Sequence, residues 1–166
     1  EFLKHQDMQK AYDTYQECVT LAPDHLYARA RMGSVLSDAG LWDASISSLR
    51  EALKQRSQKS RMKKPALDAE VWPMAHAKLG KALENTNDRA GAAMEYEAAI
   101  KLAPKKLEFY HMLSVFYSNA KEHESAVKVW EKAVSALPKS VDAHTNLANN
   151  LYFASRVDDA AMVYEK

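Results

Sequence analysis

The stretch MAHAKLGKALENTNDRAGAAMEYEAAIKLAP, residues 74–104, decides the fold of this protein. Its apolar residues recur three and four positions apart, which places them on one face of a helix. Asn87 and Asp88 interrupt this pattern with residue types that favour turns and helix N-caps. Pro104 cannot continue a helix and disfavours helical geometry at the residue before it. The stretch therefore predicts two amphipathic helices that are joined by a turn and followed by a proline stop.

The same pattern recurs along the chain at a spacing of 34 residues. Two short helices cannot bury their apolar faces alone, whereas stacked copies of the pair can. Gly80 and Ala92 are small where the paired helices must approach closely, and Tyr96 supplies bulk between them. Because different residue types keep the spacing independently, the spacing is not an effect of composition. The matching positions are Leu79, Leu113 and Leu147; Ala92, Ala126 and Ala160; Tyr96, Trp130 and Tyr164; and Pro104 and Pro138.

This pattern resembles the tetratricopeptide repeat, whose signature is W-x2-L-G-x2-Y, then A-x3-F, then P, at a period of 34 residues. The resemblance covers nearly the whole chain. It implies an all-α fold, a right-handed α-solenoid of stacked helix-turn-helix repeats. Two signature positions depart from the family pattern. The opening aromatic is replaced by Arg29, His76, Tyr110 and His144, and the glycine is replaced by Ser114 and Ala148.

The repeat register divides the chain into six segments. Gly33 and Gly80 are 47 residues apart instead of 34, which indicates an insertion between two repeats. We expect Trp72 to pack this insertion onto the stack and Pro73 to lie in the first turn of the next helix. Because the chain starts in mid-repeat and ends within a second helix, it is interpreted as a fragment of a longer protein. The segments are the second helix of a partial repeat (1–25), a repeat (26–59), a basic Trp-Pro insertion (60–72), two repeats (73–106 and 107–140) and a partial repeat (141–166).

Composition and charge exclude several classes of protein. The 47% hydrophobic content with few Gly and Pro is typical of a packed helical protein, and a net charge of +1 gives no overall attraction to nucleic acid. No apolar run is long enough to span a bilayer, and the N-terminus lacks a secretory signal pattern. The single cysteine, Cys18, excludes an internal disulfide framework and favours a reducing, intracellular compartment. It occupies the repeat position of Ala99, so we predict a small core residue there.

The insertion and the helix before it carry a run of basic residues. Six positive charges fall within eleven residues without an acidic one, so the rest of the chain has a net charge of −5. One interpretation is a docking patch for phosphate, an anionic lipid surface or an acidic partner. The other is a second helix that continues into solvent and ends at Pro65, with basic residues near its C-terminus favoured by the helix dipole. The six residues are Lys54, Arg56, Lys59, Arg61, Lys63 and Lys64.

The motifs of catalysis and of metal or cofactor binding are missing from the sequence. The six histidines form no H-E-x-x-H motif and no Cys/His cluster. No glycine-rich loop of the phosphate-binding kind is present, and the lone cysteine has no recognisable partner to activate it. We therefore expect no cofactor, no metal and no catalysis in this segment.

The resemblance also implies a binding surface. In tetratricopeptide-repeat proteins the first helices of successive repeats line a concave groove that holds an extended peptide or a partner helix. In this chain the early part of the groove is basic and the later part is more apolar and rich in amides. The alternative is that these residues are ordinary exposed positions on a spacer. The positions are Tyr27, Arg31, Ser34, Met74, Lys78, Lys81, Glu108, His111, Met112, Val115, Thr145, Asn146, Asn149 and Tyr152.

Two subclasses of the family fit poorly. Repeats that clamp the C-terminal carboxylate of heat-shock chaperones need Lys and Asn at fixed groove positions, and these are absent here. Glu108 or Asp142 at those positions would repel a carboxylate. An asparagine ladder, as in the enzyme that attaches N-acetylglucosamine to proteins, would require Asn where Arg31, Lys78 and Met112 stand beside Asn146.

The leading functional hypothesis is a non-catalytic protein–protein interaction scaffold within a larger assembly. A second hypothesis is the substrate-recruiting arm of an enzyme whose catalytic domain lies outside this segment. The third is an RNA-binding helical repeat, which the near-neutral charge disfavours because nucleic-acid binders usually present a basic face.

Overall fold

A computed structural model describes residues 2–58 and 65–164, and all regular elements within these ranges are α-helices. The chain divides into two compact units, Glu1–Leu102 and Ala103–Lys166. The predicted all-α helical-repeat fold is confirmed. The repeat boundaries proposed from the sequence remain a prediction.

The first unit contains two helical hairpins preceded by a long helix. Helix α2 packs against α1, α3 and α4, and α4 packs in turn against α3 and α5. Alanines at the crossings, such as Ala52, Ala92 and Ala99, are completely buried. The helices are α1 (Phe2–Leu21), α2 (Leu26–Asp38), α3 (Trp42–Gln58), α4 (Pro65–Asn85) and α5 (Arg89–Leu102).

The second unit consists of two further hairpins in series. Helix α7 packs against α6 and α8, and α8 packs against α9. Trp130 and Ala126 of α7 are buried between these helices, as predicted for core positions. The helices are α6 (Leu107–Asn119), α7 (His123–Ala136), α8 (Val141–Phe153) and α9 (Val157–Tyr164).

Gly80 permits the close approach of α4 and α5. A Cβ atom at Gly80 would lie 3.1 Å from Cδ1 of Tyr96 and 3.2 Å from the carbonyl oxygen of Ala92, which is tighter than ordinary contact. The Tyr96 hydroxyl donates a hydrogen bond to Glu84 at 2.9 Å. Burial and the nearby Glu84 carboxylate raise the pKa of Tyr96, so its side chain stays neutral. The roles predicted for Gly80, Ala92 and Tyr96 are confirmed.

The turn between α4 and α5 follows the sequence prediction closely. Asn87 adopts a left-handed conformation with φ of 64°, which Asn tolerates better than most residues. Asp88 Oδ1 then accepts a hydrogen bond from the Gly91 backbone N–H at 2.9 Å, capping α5. Helix α5 ends at Leu102, before Pro104, as expected.

Removing this cap should lower stability measurably. We expect Asp88→Ala to reduce the free energy of unfolding by about 1 kcal/mol, because one N-terminal N–H of α5 loses its acceptor. Urea unfolding followed by circular dichroism measures the change. Asp88→Ser is the control, since its hydroxyl can still cap; equal losses in the two variants would contradict the capping role.

The prediction for Cys18 is wrong. Its side chain is exposed, whereas the equivalent Ala52, Ala99 and Ala133 are completely buried. In the described structure α1 packs against α2, and Val19 is the residue near its C-terminal end that this packing buries. The buried face of α1 is therefore rotated away from Cys18.

The predicted helix start at Pro73 is also wrong, because α4 already begins at Pro65. Pro65 suits the first turn of a helix, where no N–H partner is needed. Pro73 lies inside α4 beside Trp72, and both side chains are fully buried. Burial of the indole favours the continuous helix despite the hydrogen bond that a proline removes. The predicted packing of Trp72 onto the stack is confirmed.

No helix in the described part of the chain is both long enough and apolar enough to cross a membrane.

Candidate interaction surface

In the first unit, the predicted groove residues lie along the contact between α2 and α4. The Tyr27 hydroxyl donates to Asp68 Oδ1 at 3.0 Å, and the Trp72 indole N–H donates to the same oxygen. The Tyr27 ring also lies 5.4 Å from the Trp72 ring, centroid to centroid. Tyr27 is thus bound to the early turns of α4, in the part of the helix that the sequence prediction had treated as an insertion.

The basic side chains of this face already have acidic partners within the chain. Arg31 of α2 forms an ion pair with Glu70 of α4, and Lys78 of α4 forms one with Asp38 of α2. The positive charge predicted for this part of the groove is therefore largely offset. The sequence analysis missed the three carboxylates of Asp38, Asp68 and Glu70. Two of them reach α2 only because α4 begins at Pro65.

Lys81 takes part in a different contact. Its ammonium lies 5.9 Å from the ring centroid of Trp42, over the ring. Such a cation–π contact holds the lysine against the start of α3. All four predicted residues of the first unit, Tyr27, Arg31, Lys78 and Lys81, therefore contact other side chains of the same unit.

The predicted basic docking patch falls mostly outside the described residues. Lys59, Arg61, Lys63 and Lys64 all lie there. Lys54 is exposed, and the guanidinium of Arg56 lies 4.9 Å from the Trp72 ring centroid. Both interpretations of the basic run remain predictions.

In the second unit, hydrogen bonds join the first helices of the two hairpins. The Trp130 indole N–H donates to Ser114 Oγ at 2.8 Å, and Ser114 Oγ donates to Asn150 Oδ1 at 3.2 Å. This chain of hydrogen bonds fixes α6 beside α8. Ser114 occupies the glycine position of the repeat signature, so the departure from the pattern has a structural role.

The predicted groove residues of α6 and α8 form a more open surface, which we call the α6–α8 face. It comprises His111, Met112 and Val115 of α6 and Asn146, Asn149 and Tyr152 of α8. Val115 is 40% exposed and Tyr152 is 62% exposed, large values for apolar side chains. His111 and Asn149 are also exposed.

The two asparagines differ in how they are held. Asn146 Nδ2 donates to the carbonyl oxygen of Asp142 at 2.7 Å, within α8. Asn149 Oδ1 accepts from the Tyr164 hydroxyl at 2.8 Å, which orients its amide group and leaves the Nδ2 donors directed elsewhere. An oriented amide of this kind can donate to the carbonyl oxygen of a peptide.

Within residues 2–58 and 65–164, no group of three or more His, Cys, Asp or Glu side chains is arranged to hold a metal ion. His76, which fills a signature position, is instead half-buried and contacts Glu95 at 2.6 Å.

The family comparison agrees with the repeat geometry. The sequence profile of the tetratricopeptide repeat matches residues 75–106 and 107–139. The protein contains tetratricopeptide repeats. The first matched repeat holds the α4–α5 hairpin with Gly80 and Tyr96, and the second holds α6, α7 and Trp130.

Solved structures with tetratricopeptide repeats resemble the whole chain. MamA from Desulfovibrio magneticus, residues 41 to the end, is 19% identical with a TM-score of 0.68, covering 98% of this chain and 85% of its own. YrrB, a tetratricopeptide-repeat protein with an unusual peptide-binding site, is 15% identical with a TM-score of 0.61, covering 98% and 77%. The Naa15/Naa10 assembly bound to HypK-THB matches at 16% identity with a TM-score of 0.64, covering 98% of this chain and 23% of that one. At these identities the likeness concerns the fold. No curated protein sequence matches the chain significantly.

Proposed function

We propose that this protein is a non-catalytic interaction scaffold, one component of a larger assembly, and that it holds a peptide or helix of a partner protein on the α6–α8 face. The observation that carries this proposal is the contrast between the two units. Groove positions of the first unit are engaged by carboxylates and aromatic rings of the same unit, whereas Val115, Asn149 and Tyr152 are exposed.

The chemistry of the α6–α8 face suits a peptide. Exposed apolar side chains on a helical surface favour burial by a partner, because each contributes free energy in proportion to the area removed from water. Asn149 supplies oriented donors for a backbone carbonyl. Tyr27, Arg31, Lys78 and Lys81 would make secondary contacts, since each would first have to exchange a partner within the chain.

The related folds are consistent with this role. YrrB is a repeat protein with a peptide-binding site, and Naa15 is found in an assembly with Naa10 and HypK-THB. The alternative of a substrate-recruiting arm would use the same face, so one experiment addresses both roles.

The test compares proteins retained by the immobilised wild type and by the double variant Val115→Asp/Asn149→Asp, using quantitative mass spectrometry. We expect a specific partner to be reduced on the order of tenfold, because a buried charge opposes docking and the amide donors are lost. Asn149→Asp keeps an oxygen for the Tyr164 hydroxyl, so the fold is preserved.

Two matched variants complete the design. Met94→Asp changes a 70% exposed apolar residue of the first unit and should leave retention unchanged. Lys78→Glu/Lys81→Glu tests the early groove and should have the smaller effect. If the partner is retained by the double variant and lost with the lysine variant, the α6–α8 face is the wrong site.

A further inference from the structure

A crevice lies at one edge of the α6–α8 face. It has a volume of about 440 Å³ and is formed where the α6–α7 turn meets the α8–α9 turn. The first turn contributes residues 121–125 and the second contributes residues 153–155. Phe153, the last residue of α8, forms part of its wall and is 65% exposed.

The charges around this crevice are mostly negative. The two turns and the first residues of α9 carry four carboxylates against two cations. Arg156 is already engaged, since its Nε donates to Asp159 at 2.7 Å and its Nη1 donates to Glu124 at 3.3 Å. The positive N-terminal end of α7 is offset by Glu122 and Glu124 in its first turn. The remaining field favours a cation.

The aromatic wall also favours a cation. Phe153 and Tyr152 form an edge-on pair with ring centroids 5.9 Å apart. Aromatic faces attract ammonium and guanidinium groups within about 6 Å. Within the described residues, no lysine or arginine of the chain lies over Phe153.

The first unit shows how this chain uses aromatic residues at such turns. Trp42 borders the α2–α3 turn, which like the α8–α9 turn joins the first helix of a hairpin to the second. There, the Lys81 ammonium lies over the Trp42 ring. The chain thus supplies its own cation at the α2–α3 turn, whereas the ring at the α8–α9 turn is exposed.

We propose that this crevice receives a lysine or arginine side chain of the partner peptide, with Phe153 as the aromatic face and the neighbouring carboxylates as the counter-charge. The inference rests on the proposed function and names the partner more closely. The peptide has a cationic residue next to the apolar residues that cover Val115 and Tyr152. A strongly acidic peptide is excluded.

The experiment is an NMR titration of the isotopically labelled protein with two probe peptides, acetyl-Ser-Leu-Lys-Leu-Ser-amide and its counterpart with norleucine in place of lysine. We expect the lysine peptide to bind about two- to fivefold tighter, the range of an exposed cation–π contact. Its titration should shift the amide signals of Phe153 and Ser125, and added salt should reduce the preference.

Variants separate this inference from the proposed function. Phe153→Ala should abolish the preference for lysine, Phe153→Tyr should restore it, and Met94→Ala should leave it unchanged. Equal binding of both peptides with shifts at Val115 and Asn149, or a lysine preference that survives in Phe153→Ala, would overturn the crevice and leave the α6–α8 face intact. No shift at Val115 or Asn149 with either peptide would overturn the face, and the crevice with it.

Discussion

Replacing Trp130 by alanine should lower the free energy of unfolding by about 3–5 kcal/mol, the range for deleting a fully buried aromatic side chain. Trp130 is 1% exposed, so its loss leaves a cavity in the second unit that neighbouring helices fill only partly. Ser114 also loses the indole donor that it shares with Asn150. The link between α6 and α8 should weaken as a result.

Urea unfolding gives the size of this effect, and hydrogen exchange gives its place. Because repeat proteins are stabilised by nearest-neighbour contacts, protection should fall most in α6–α8 and least in α2 and α3. Trp130→Phe is the control, since it keeps most of the volume and removes the donor. A uniform loss of protection along the chain would contradict the local role of Trp130.

Replacing Ala126 by leucine should cost about 1–3 kcal/mol, because extra methylene groups cannot fit a filled helix crossing without strain. Ala126 is completely buried in α7. The change is expected to destabilise although leucine and alanine both favour helices, so the loss reports packing and not helix propensity.

Ala161→Leu is the matched control, because Ala161 is exposed on α9 in the same unit. Its unfolding free energy should match that of the wild type within about 0.5 kcal/mol. If Ala126→Leu unfolds at the same urea concentration as the wild type, the repeat register is wrong, and with it the assignment of the α6–α8 face.

The hairpins could be predicted because their signals are local and repeated. Leu79, Leu113 and Leu147 keep one spacing and are all buried, and the Asn87–Asp88 turn and Gly80 behave as their chemistry requires. Each of these features depends on residues within one hairpin. The periodicity alone determines which face of each helix becomes the core.

The prediction failed where a position depends on what packs beside it. Cys18 shares a repeat position with buried alanines, yet the packing of α1 against α2 leaves it exposed. Pro73 follows a rule for helix starts, yet burial of Trp72 favours a helix that continues through it. Local preferences are worth little beside the burial of a large side chain.

The sequence by itself determined the repeat, its turns and its core positions, and it identified the residues that could line a binding surface. Only the tertiary structure decided which of those residues are engaged. Arg31 meets Glu70 and Lys78 meets Asp38 across about 40 positions of sequence, at distances set by how α2 packs on α4. Such pairing is invisible to a local pattern, because it depends on the orientation of two helices and not on the periodicity of either.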